Sequence, residues 1–226
     1  MGKEVIIACD FPDRQRLFTF LNKFLDRRPF LKVGMELFYS EGPDLIRVLK
    51  SNGFRVFLDL KLYDIPNTVG RTIKNLVNLE VEFISIHASG GKDMMLAAKE
   101  SACGRGTKLL AVTILTSISQ CHLKSELLIE NTLDESVKHF AKIAYACGID
   151  GIVCSPFEVE IVKTSFNDLL CVTPGIRYFN ETDDQKRFAQ PAQAKEFGSD
   201  LIVVGRPITG AVDPVESYEK IKSEFI

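Results

Sequence analysis

The sequence lacks the features that mark several large classes of protein. Its formal net charge is −2 over 226 residues, so it has no basic excess of the kind that nucleic-acid-binding surfaces usually show. No apolar run approaches the roughly 18 residues needed to span a bilayer. The chain enters a strand-like run at Val5 without the pattern of a signal peptide. We therefore expect no nucleic-acid partner, no membrane association and a cytoplasmic location.

The cysteines lack the spacing of zinc and redox motifs. All six are scattered without a CxxC pair, and several lie within apolar runs, as in Ile152-Val153-Cys154. Such cysteines are typical of free, buried thiols in a reducing compartment. The sequence also shows no obvious metal-ligand triad, and Asp10-Phe11-Pro12 follows the first predicted strand where a dinucleotide-binding protein would have a Gly-rich turn. We expect neither a metal nor a cofactor.

Short apolar runs alternate with helical patterns from one end of the chain to the other, which predicts βα units and a parallel sheet. The predicted strands are residues 5–10, 30–34, 54–61, 83–87, 109–115, 151–154, 169–172 and 201–204, and helices are predicted at 43–49, 137–146, 158–162, 191–197 and 214–221. Eight such units predict an α/β fold, a (β/α)8 TIM barrel that forms a single domain over residues 1–226. The alternative is a doubly wound open sheet.

Polar residues cluster at the carboxyl ends of the predicted strands, where a barrel carries its site. They are Asp10, Lys32, Asp59, Lys61, His87, Thr116, Ser117, Arg177, Gly205 and Arg206. We predict that these residues converge on one mouth of the barrel. His87 could be a catalytic base, but a histidine at a strand end is more often a hydrogen-bonded wall or interface residue.

The stretch 57–68 places a lysine between two carboxylates. Residues two apart on a strand share a face, so Asp59 and Lys61 should point the same way, while Asp64 falls in the turn before a helix that begins near Pro66. Nearby carboxylates keep a lysine charged, which suits a proton donor or cation and not a Schiff-base nucleophile. The alternative is a structural ion-pair cluster, but converging buried charges are costly to assemble unless they are paired and used.

The loops after the seventh and eighth strands predict an anion site. Barrels often bind phosphate there, and Arg177 and Arg206 can supply forked donors while Gly205 allows close approach of the backbone. The alternative is a pair of solvated arginines. The charged run 183–187 lies in the long seventh loop and is a candidate lid over the phosphate.

The run Asp59-Leu60-Lys61-Leu62-Tyr63-Asp64-Ile65-Pro66-Asn67-Thr68 resembles the signature of the orotidine 5′-phosphate decarboxylase family, in its bacterial type. The resemblance covers nearly the whole chain and includes Asp10, Lys32 and the segments 87–91, 112–117, 173–177, 184–185 and 204–208. A related sugar-phosphate branch of the same superfamily also carries DxKxxD, but it is not expected to continue as Ile-Pro-Asn-Thr.

The resemblance implies a lyase that converts orotidine 5′-phosphate (OMP) to uridine 5′-phosphate (UMP) and CO2, the last step of de novo pyrimidine biosynthesis, as a homodimer without a cofactor. Lys61 matches the proton donor to C6, and Asp59 and Asp64 match its carboxylate partners. Asp64 and Thr68 would reach the neighbouring subunit's site. The other implied substrate-binding residues are Asp10 and Lys32 at the ribose, Thr116 at the pyrimidine, Ile65, and Arg177, Gln185, Gly205 and Arg206 at the phosphate and lid.

Two other functions stay open. One is a metal-dependent sugar-phosphate decarboxylase or aldolase on the same barrel, which would require a divalent cation. The other is a nucleotide-binding barrel without catalysis. One feature argues against the non-catalytic barrel: a protein that only binds a nucleotide has no need to hold a charged lysine between carboxylates, as Asp59, Lys61 and Asp64 do.

Overall fold

The computed structural model describes residues 2–25, 27–178 and 188–226. Its eight parallel strands form a closed barrel in which each strand pairs with the next and β8 pairs with β1. The strands are β1 (Glu4–Ala8), β2 (Phe30–Gly34), β3 (Val56–Leu62), β4 (Phe83–His87), β5 (Lys108–Val112), β6 (Gly151–Val153), β7 (Leu170–Thr173) and β8 (Leu201–Val204). The predicted TIM barrel is confirmed, and the open-sheet alternative is wrong because β8 closes onto β1.

Helices alternate with the strands. They are α1 (Arg14–Leu21), α2 (Met35–Ser51), α3 (Pro66–Leu76), α4 (Gly91–Ala102), α5 (Gln120–Ser125), α6 (Leu133–Ala146), α7 (Val159–Ser165), α8 (Pro191–Glu196), α9 (Arg206–Thr209) and α10 (Pro214–Phe225). Short 3-10 turns occur at Asn22–Phe24, Val77–Leu79, Ala88–Gly90 and Pro156–Glu158. None of the helices in the described part of the chain combines the length and the apolar character that crossing a membrane requires.

The helix predictions differ from the structure in three places. The helix predicted at 43–49 is only the second half of α2, which starts at Met35 and kinks at Gly42, where φ is 69°. The Gly42-Pro43 pair thus marks a kink within the helix and not its start. Two further helices lie outside the predicted ranges: α5 in the connection after β5, and the short helix α9 at residues 206–209.

Two apolar cores lie on opposite faces of the barrel wall. Outward-facing strand residues pack against the helices and form the larger core. Inward-facing residues form a smaller plug: Ile6, Ala8, Phe30, Phe57, Phe83, Leu110, Val112, Val153, Val172, Leu201 and Val203. The plug fills the interior toward the amino-terminal ends of the strands, so in the described part of the chain the interior is open to a ligand at the carboxyl ends.

Three similar ion pairs, each between a carboxylate and a lysine, lie at the amino-terminal end of the barrel among the described residues. We call each of them an acid–lysine clamp. Glu82, Asp150 and Asp200 immediately precede β4, β6 and β8. Each accepts a backbone N–H from the start of the preceding strand, at 2.6, 2.9 and 2.7 Å. Each also pairs with a lysine of the helix before that strand: Lys50 at 2.6 Å, Lys99 at 2.9 Å and Lys163 at 2.7 Å. The clamps tie a helix and two strands together at the end that is remote from the mouth.

Candidate active site

The inward-facing side chains of the first four strands change from apolar to polar toward the carboxyl ends. In order up the barrel they are Ile6, Ala8 and Asp10 for β1; Phe30 and Lys32 for β2; Phe57, Asp59 and Lys61 for β3; and Phe83 and Ser85 for β4. Because strand residues two apart share a face, the polar members stand directly above the apolar plug. The mouth is therefore a layer of charged side chains above an apolar base.

Four of the predicted residues form one continuous charge network. The Lys61 Nζ donates to Asp59 Oδ2 at 2.8 Å, and the Lys32 Nζ lies 3.6 Å from the same oxygen. The Lys32 Nζ also donates to Asp10 Oδ1 at 3.0 Å. Asp59 and Lys32 are largely buried, while Asp10 reaches solvent at the rim. Two ammoniums thus share two carboxylates, and the buried part of the network is electrically balanced.

The network keeps its central members ionised. Burial alone would raise the pKa of Asp59, but Lys32 and Lys61, with hydrogen bonds from Lys61 and Ser85, hold that pKa below its ordinary value. Burial likewise would lower the pKa of Lys32, and the carboxylates of Asp59 and Asp10 raise it above its ordinary value instead. Opposite charges at hydrogen-bond distance outweigh desolvation at both positions.

Lys61 has an unusual backbone. Its φ is 49°, in the left-handed region that costs a non-glycine residue roughly 1–2 kcal/mol. The pairing between β3 and β4 shifts register between Leu58 and Leu62, so Lys61 lies in a bulge. Its backbone N–H donates to the Ser85 Oγ at 2.8 Å. Bulges often redirect a side chain beside a functional site, and here the redirected side chain is a lysine.

The mouth encloses a cavity of about 520 Å³. Nine of the ten residues predicted to converge on the mouth line it: Asp10, Lys32, Asp59, Lys61, Thr116, Ser117, Arg177, Gly205 and Arg206. Its volume is within the range of small-ligand sites, and its wall combines apolar floor residues with charged groups from several strands. In the described part of the chain, no three His, Cys, Asp or Glu side chains cluster in a way that could hold a metal ion.

The predicted anion residues follow β7 and β8 on the cavity wall, and β8 is the neighbour of β1, which leads to Asp10. Gly205 connects β8 to α9, Arg206 is the first residue of α9, and Arg177 follows β7. Arg177 is buried, and its backbone N–H donates to Ala189 O at 3.0 Å, which fixes the base of the seventh loop. Gln185 and the candidate lid at 183–187 lie outside the described residues.

Asp64, Ile65 and Thr68 do not line this cavity. All three are exposed on the connection from β3 to α3, and Asp64 Oδ1 accepts the backbone N–H of Ile65 at 2.7 Å. Within the described residues, Asp64 makes no ion pair with Lys61 of its own chain. The prediction that Asp64 and Thr68 complete a neighbouring subunit's site stays a prediction.

His87 has the wall position that the sequence favoured for a strand-end histidine, although it was also predicted to reach the mouth. The His87 Nδ1 lies 2.6 Å from the Ser89 Oγ, and its ring packs against Tyr63 with centroids 5.8 Å apart. Burial, with the charge of Lys61, lowers the pKa of His87. His87 does not line the cavity, so its place is that of a wall residue. Ser85 was not predicted, although the alternation on β4 indicates that it faces inward.

Known proteins with similar sequences belong to the family whose signature the sequence resembles. Residues 3–221 match the model of the family described as "Orotidine 5'-phosphate decarboxylase / HUMPS family". The chain is 50% identical over 228 residues to the orotidine 5'-phosphate decarboxylase of Oenococcus oeni, covering 100% of both chains. It is 48% identical to that of Streptococcus mutans, covering 97% of this chain and 96% of the other.

A solved structure agrees in fold as well as in sequence. The crystal structure of orotidine 5'-phosphate decarboxylase from Lactobacillus acidophilus superposes with a TM-score of 0.88 at 45% identity, covering 98% of each chain. Full-length identity at this level, together with the family model, shows the family. The chain belongs to the orotidine 5'-phosphate decarboxylase / HUMPS family.

Proposed function

We propose that the protein decarboxylates OMP to UMP and CO2, as a carboxy-lyase of UMP biosynthesis that uses no cofactor. The observation that carries the proposal is the Lys61 ammonium, held 2.8 Å from Asp59 Oδ2 at the wall of a nucleotide-sized cavity. The names of the curated relatives support the substrate, since both described above are orotidine 5'-phosphate decarboxylases. The family also has a sugar-phosphate branch, so the activity itself needs a test.

In the proposed reaction, the bond between C6 and the carboxyl carbon breaks and CO2 departs. The electron pair stays on C6 in the plane of the ring, where it cannot delocalise into the π system. A preorganised cation is then the main source of stabilisation, and the Lys61 ammonium supplies it. Lys61 next gives its proton to C6, which forms the new C–H bond, and it regains a proton from solvent.

Asp59 has two effects on this step. Its carboxylate keeps Lys61 close and charged before the substrate arrives. The substrate's own carboxylate would lie beside Asp59, and the repulsion between the two anions would be relieved as CO2 leaves. Both effects act on the chemical step, so substitution of Asp59 should lower kcat more than it raises KM.

The remaining cavity residues would bind the parts of the nucleotide that do not react. Arg206, Gly205 and Arg177 would hold the phosphate, together with Gln185 from the lid. Asp10 and Lys32 would contact the ribose hydroxyls, and Thr116 would contact the pyrimidine. Binding energy from the remote phosphate can then be used to close the lid and to orient C6 against Lys61.

We also propose a homodimer in which Asp64, Ile65 and Thr68 serve the neighbouring site. The exposed side chains around this segment support it, because several are large and apolar: Met35, Tyr39, Tyr63 and Ile65. A pairing that covered them would bring Asp64 to a second cavity. We propose that a single domain spanning 1–226 carries this activity and that the protein acts in the cytoplasm. All six cysteines lie in the described residues and are free thiols, which a reducing compartment allows.

The test is the loss of OMP absorbance when purified protein is added in the presence of EDTA. We expect turnover by the wild type and none above background by Lys61→Ala, because the cation and the proton donor are both removed. Lys138→Ala, at an exposed position of α6, is the matched control and should retain full activity.

Each contrary result favours a specific alternative. Activity that EDTA abolishes and Mg²⁺ restores would favour the metal-dependent enzyme. Tight UMP binding without OMP turnover would favour the non-catalytic binder. Near wild-type turnover by Lys61→Ala would end the proposed mechanism.

A further inference from the structure

Ser85 connects the two groups on which the proposed chemistry depends. It lies on the inward face of β4, is fully buried, and does not line the cavity. Its hydroxyl donates to Asp59 Oδ1 at 2.8 Å and accepts the backbone N–H of Lys61 at 2.8 Å. One side chain therefore holds the carboxylate of the pair and the backbone of the lysine at the same time.

The bulge in β3 explains why the lysine backbone needs such a partner. Where the ladder between β3 and β4 is interrupted, Lys61 loses a regular strand partner for its N–H. A buried N–H without an acceptor is unfavourable, and a left-handed backbone persists only where its surroundings hold it. The Ser85 Oγ accepts that N–H at the residue whose φ is 49°.

The same hydroxyl sets the rotation of the Asp59 carboxylate. Oδ1 is held by Ser85, which turns Oδ2 toward the two ammoniums, Lys61 at 2.8 Å and Lys32 at 3.6 Å. Without the hydroxyl, the carboxylate could rotate and divide its oxygens differently between the lysines. The Lys61 backbone and the Asp59 carboxylate that pairs with the Lys61 Nζ are thus both held by one residue of β4.

We propose that Ser85 is a positioning residue that fixes the Lys61–Asp59 pair in its reactive geometry through these two hydrogen bonds. The inference rests on the proposed function. It means that a residue of β4 positions the two reactive residues, which both lie on β3. It does not make Ser85 a catalytic residue, since its side chain is buried below the cavity.

A serine hydroxyl suits this place because it is a donor and an acceptor at once. Alanine at position 85 would leave the Lys61 N–H and one Asp59 oxygen without their partner. Threonine keeps the hydroxyl and is favoured in strands. The pair of Ser85→Ala and Ser85→Thr therefore separates the hydrogen bonds from simple packing.

The experiment measures kcat and KM for OMP in Ser85→Ala, Ser85→Thr and the control Ser199→Ala. Ser199 is also fully buried and hydrogen-bonded, to the Thr173 Oγ1 at 2.9 Å, but does not line the cavity. We expect Ser85→Ala to lower kcat about 10–100-fold, as misplacement of a reacting group does, with KM changed less than about threefold. Ser85→Thr and Ser199→Ala should stay close to the wild type.

Other outcomes overturn the inference. A kcat for Ser85→Ala within twofold of the wild type would do so, and so would equal losses in Ser85→Ala and Ser85→Thr, which would assign the effect to packing. Should Ser85→Ala not fold, Ser85→Cys takes its place, because a thiol is of similar size but is a weak donor. The same fall in kcat is then expected, and an unchanged kcat would be decisive against the inference.

A crystal structure of the Ser85→Ala variant separates this inference from the proposed function. We expect Lys61 to leave the left-handed region, or its Nζ to move out of hydrogen-bond range of Asp59. An unchanged pair would overturn the role of Ser85 whatever the activity of the wild type. Absence of OMP turnover by the wild type would overturn the proposed function alone.

Discussion

At the scale of single residues, Asp59 is the carboxylate on which the site converges. Its Oδ2 faces both ammoniums, its Oδ1 is held by Ser85, and its position above Phe57 keeps it largely out of water. Removing a partner from such a network leaves charges that water cannot fully solvate. Asp59 should therefore matter to stability as well as to turnover.

The first prediction concerns Asp59→Asn and its dependence on pH. At about pH 7 we expect the free energy of unfolding of the variant to be lower than that of the wild type by about 1–3 kcal/mol. This loss lies between the cost of breaking a fully buried ion pair and that of breaking an exposed one. The pKa of Asp59 is lowered in the fold, so its contribution is fully present above the unfolded value of about 3.9 and is lost as the pH falls through the folded value. Urea unfolding at a series of pH values measures the difference.

The control for this prediction is Asp44→Asn. Asp44 pairs with Arg47 at 2.5 Å on the exposed face of α2, where an ion pair contributes about 0–1 kcal/mol. Its effect should be small at every pH. If the difference in free energy of unfolding between Asp59→Asn and the wild type increased on acidification, the stabilising role of the ionised Asp59 would be contradicted.

At the scale of helices and strands, the two ends of the barrel have different tasks. The carboxyl ends carry the charge network and the bulge, while the amino ends carry the three acid–lysine clamps. Each clamp satisfies a backbone N–H at the start of a strand and neutralises the acid with a lysine. The clamps do not contact the cavity, so they should contribute to stability and not to turnover.

The second prediction tests one clamp with Asp150→Asn. The substitution replaces the charged acceptor for the Leu109 N–H and removes the pairing with Lys99, which should destabilise the protein by about 1–3 kcal/mol. For a chain of this size that corresponds to a fall in Tm of roughly 2–10 °C. Scanning calorimetry measures it, and kcat and KM for OMP should not change.

Asp168→Asn is the matched control at the same end of the barrel. Asp168 is exposed and pairs with no lysine or arginine among the described residues. Equal Tm values for Asp150→Asn and Asp168→Asn would show that the clamp contributes nothing, and an altered kcat in Asp150→Asn would show that the two ends are not independent.

At the scale of the whole molecule, one chain holds Asp59 and Lys61 in its own cavity but carries Asp64 away from it. A site that uses all three must draw Asp64 from a second copy. In a two-fold symmetric dimer the same contact is made twice, so each subunit would give and receive one Asp64.

The third prediction follows from this exchange. Lys61→Ala and Asp64→Ala should each be inactive or nearly so, and mixing them should restore about a quarter of wild-type activity, because half of the dimers are hybrids with one intact site of two. Mixing Lys61→Ala with the double variant Lys61→Ala/Asp64→Ala is the control and should restore nothing. Failure of the first mixture, with subunit exchange confirmed by differently tagged chains, would favour self-contained sites.

Much of this architecture follows from local patterns. The alternation of apolar runs and helical periods predicted the barrel, because each βα unit must bury one face of its strand and one stripe of its helix. The period of two on each strand predicted which polar residues face the mouth, and Asp10, Lys32, Asp59 and Lys61 do form one network there. Neither step needs knowledge of distant neighbours.

The way in which those residues are held depends on contacts between strands. The regular strand assumed for Asp59 and Lys61 placed them on one face correctly, but Lys61 lies in a bulge with a left-handed backbone that alternation cannot show. The bulge depends on pairing with β4, and the role of Ser85 depends on that bulge. The three clamps likewise arise from contacts between segments far apart in the chain. Local patterns along the chain are enough to give the barrel and its charged residues, because each βα unit forms from neighbouring residues. The geometry of those charges comes from contacts across the strands, which join residues far apart in the chain.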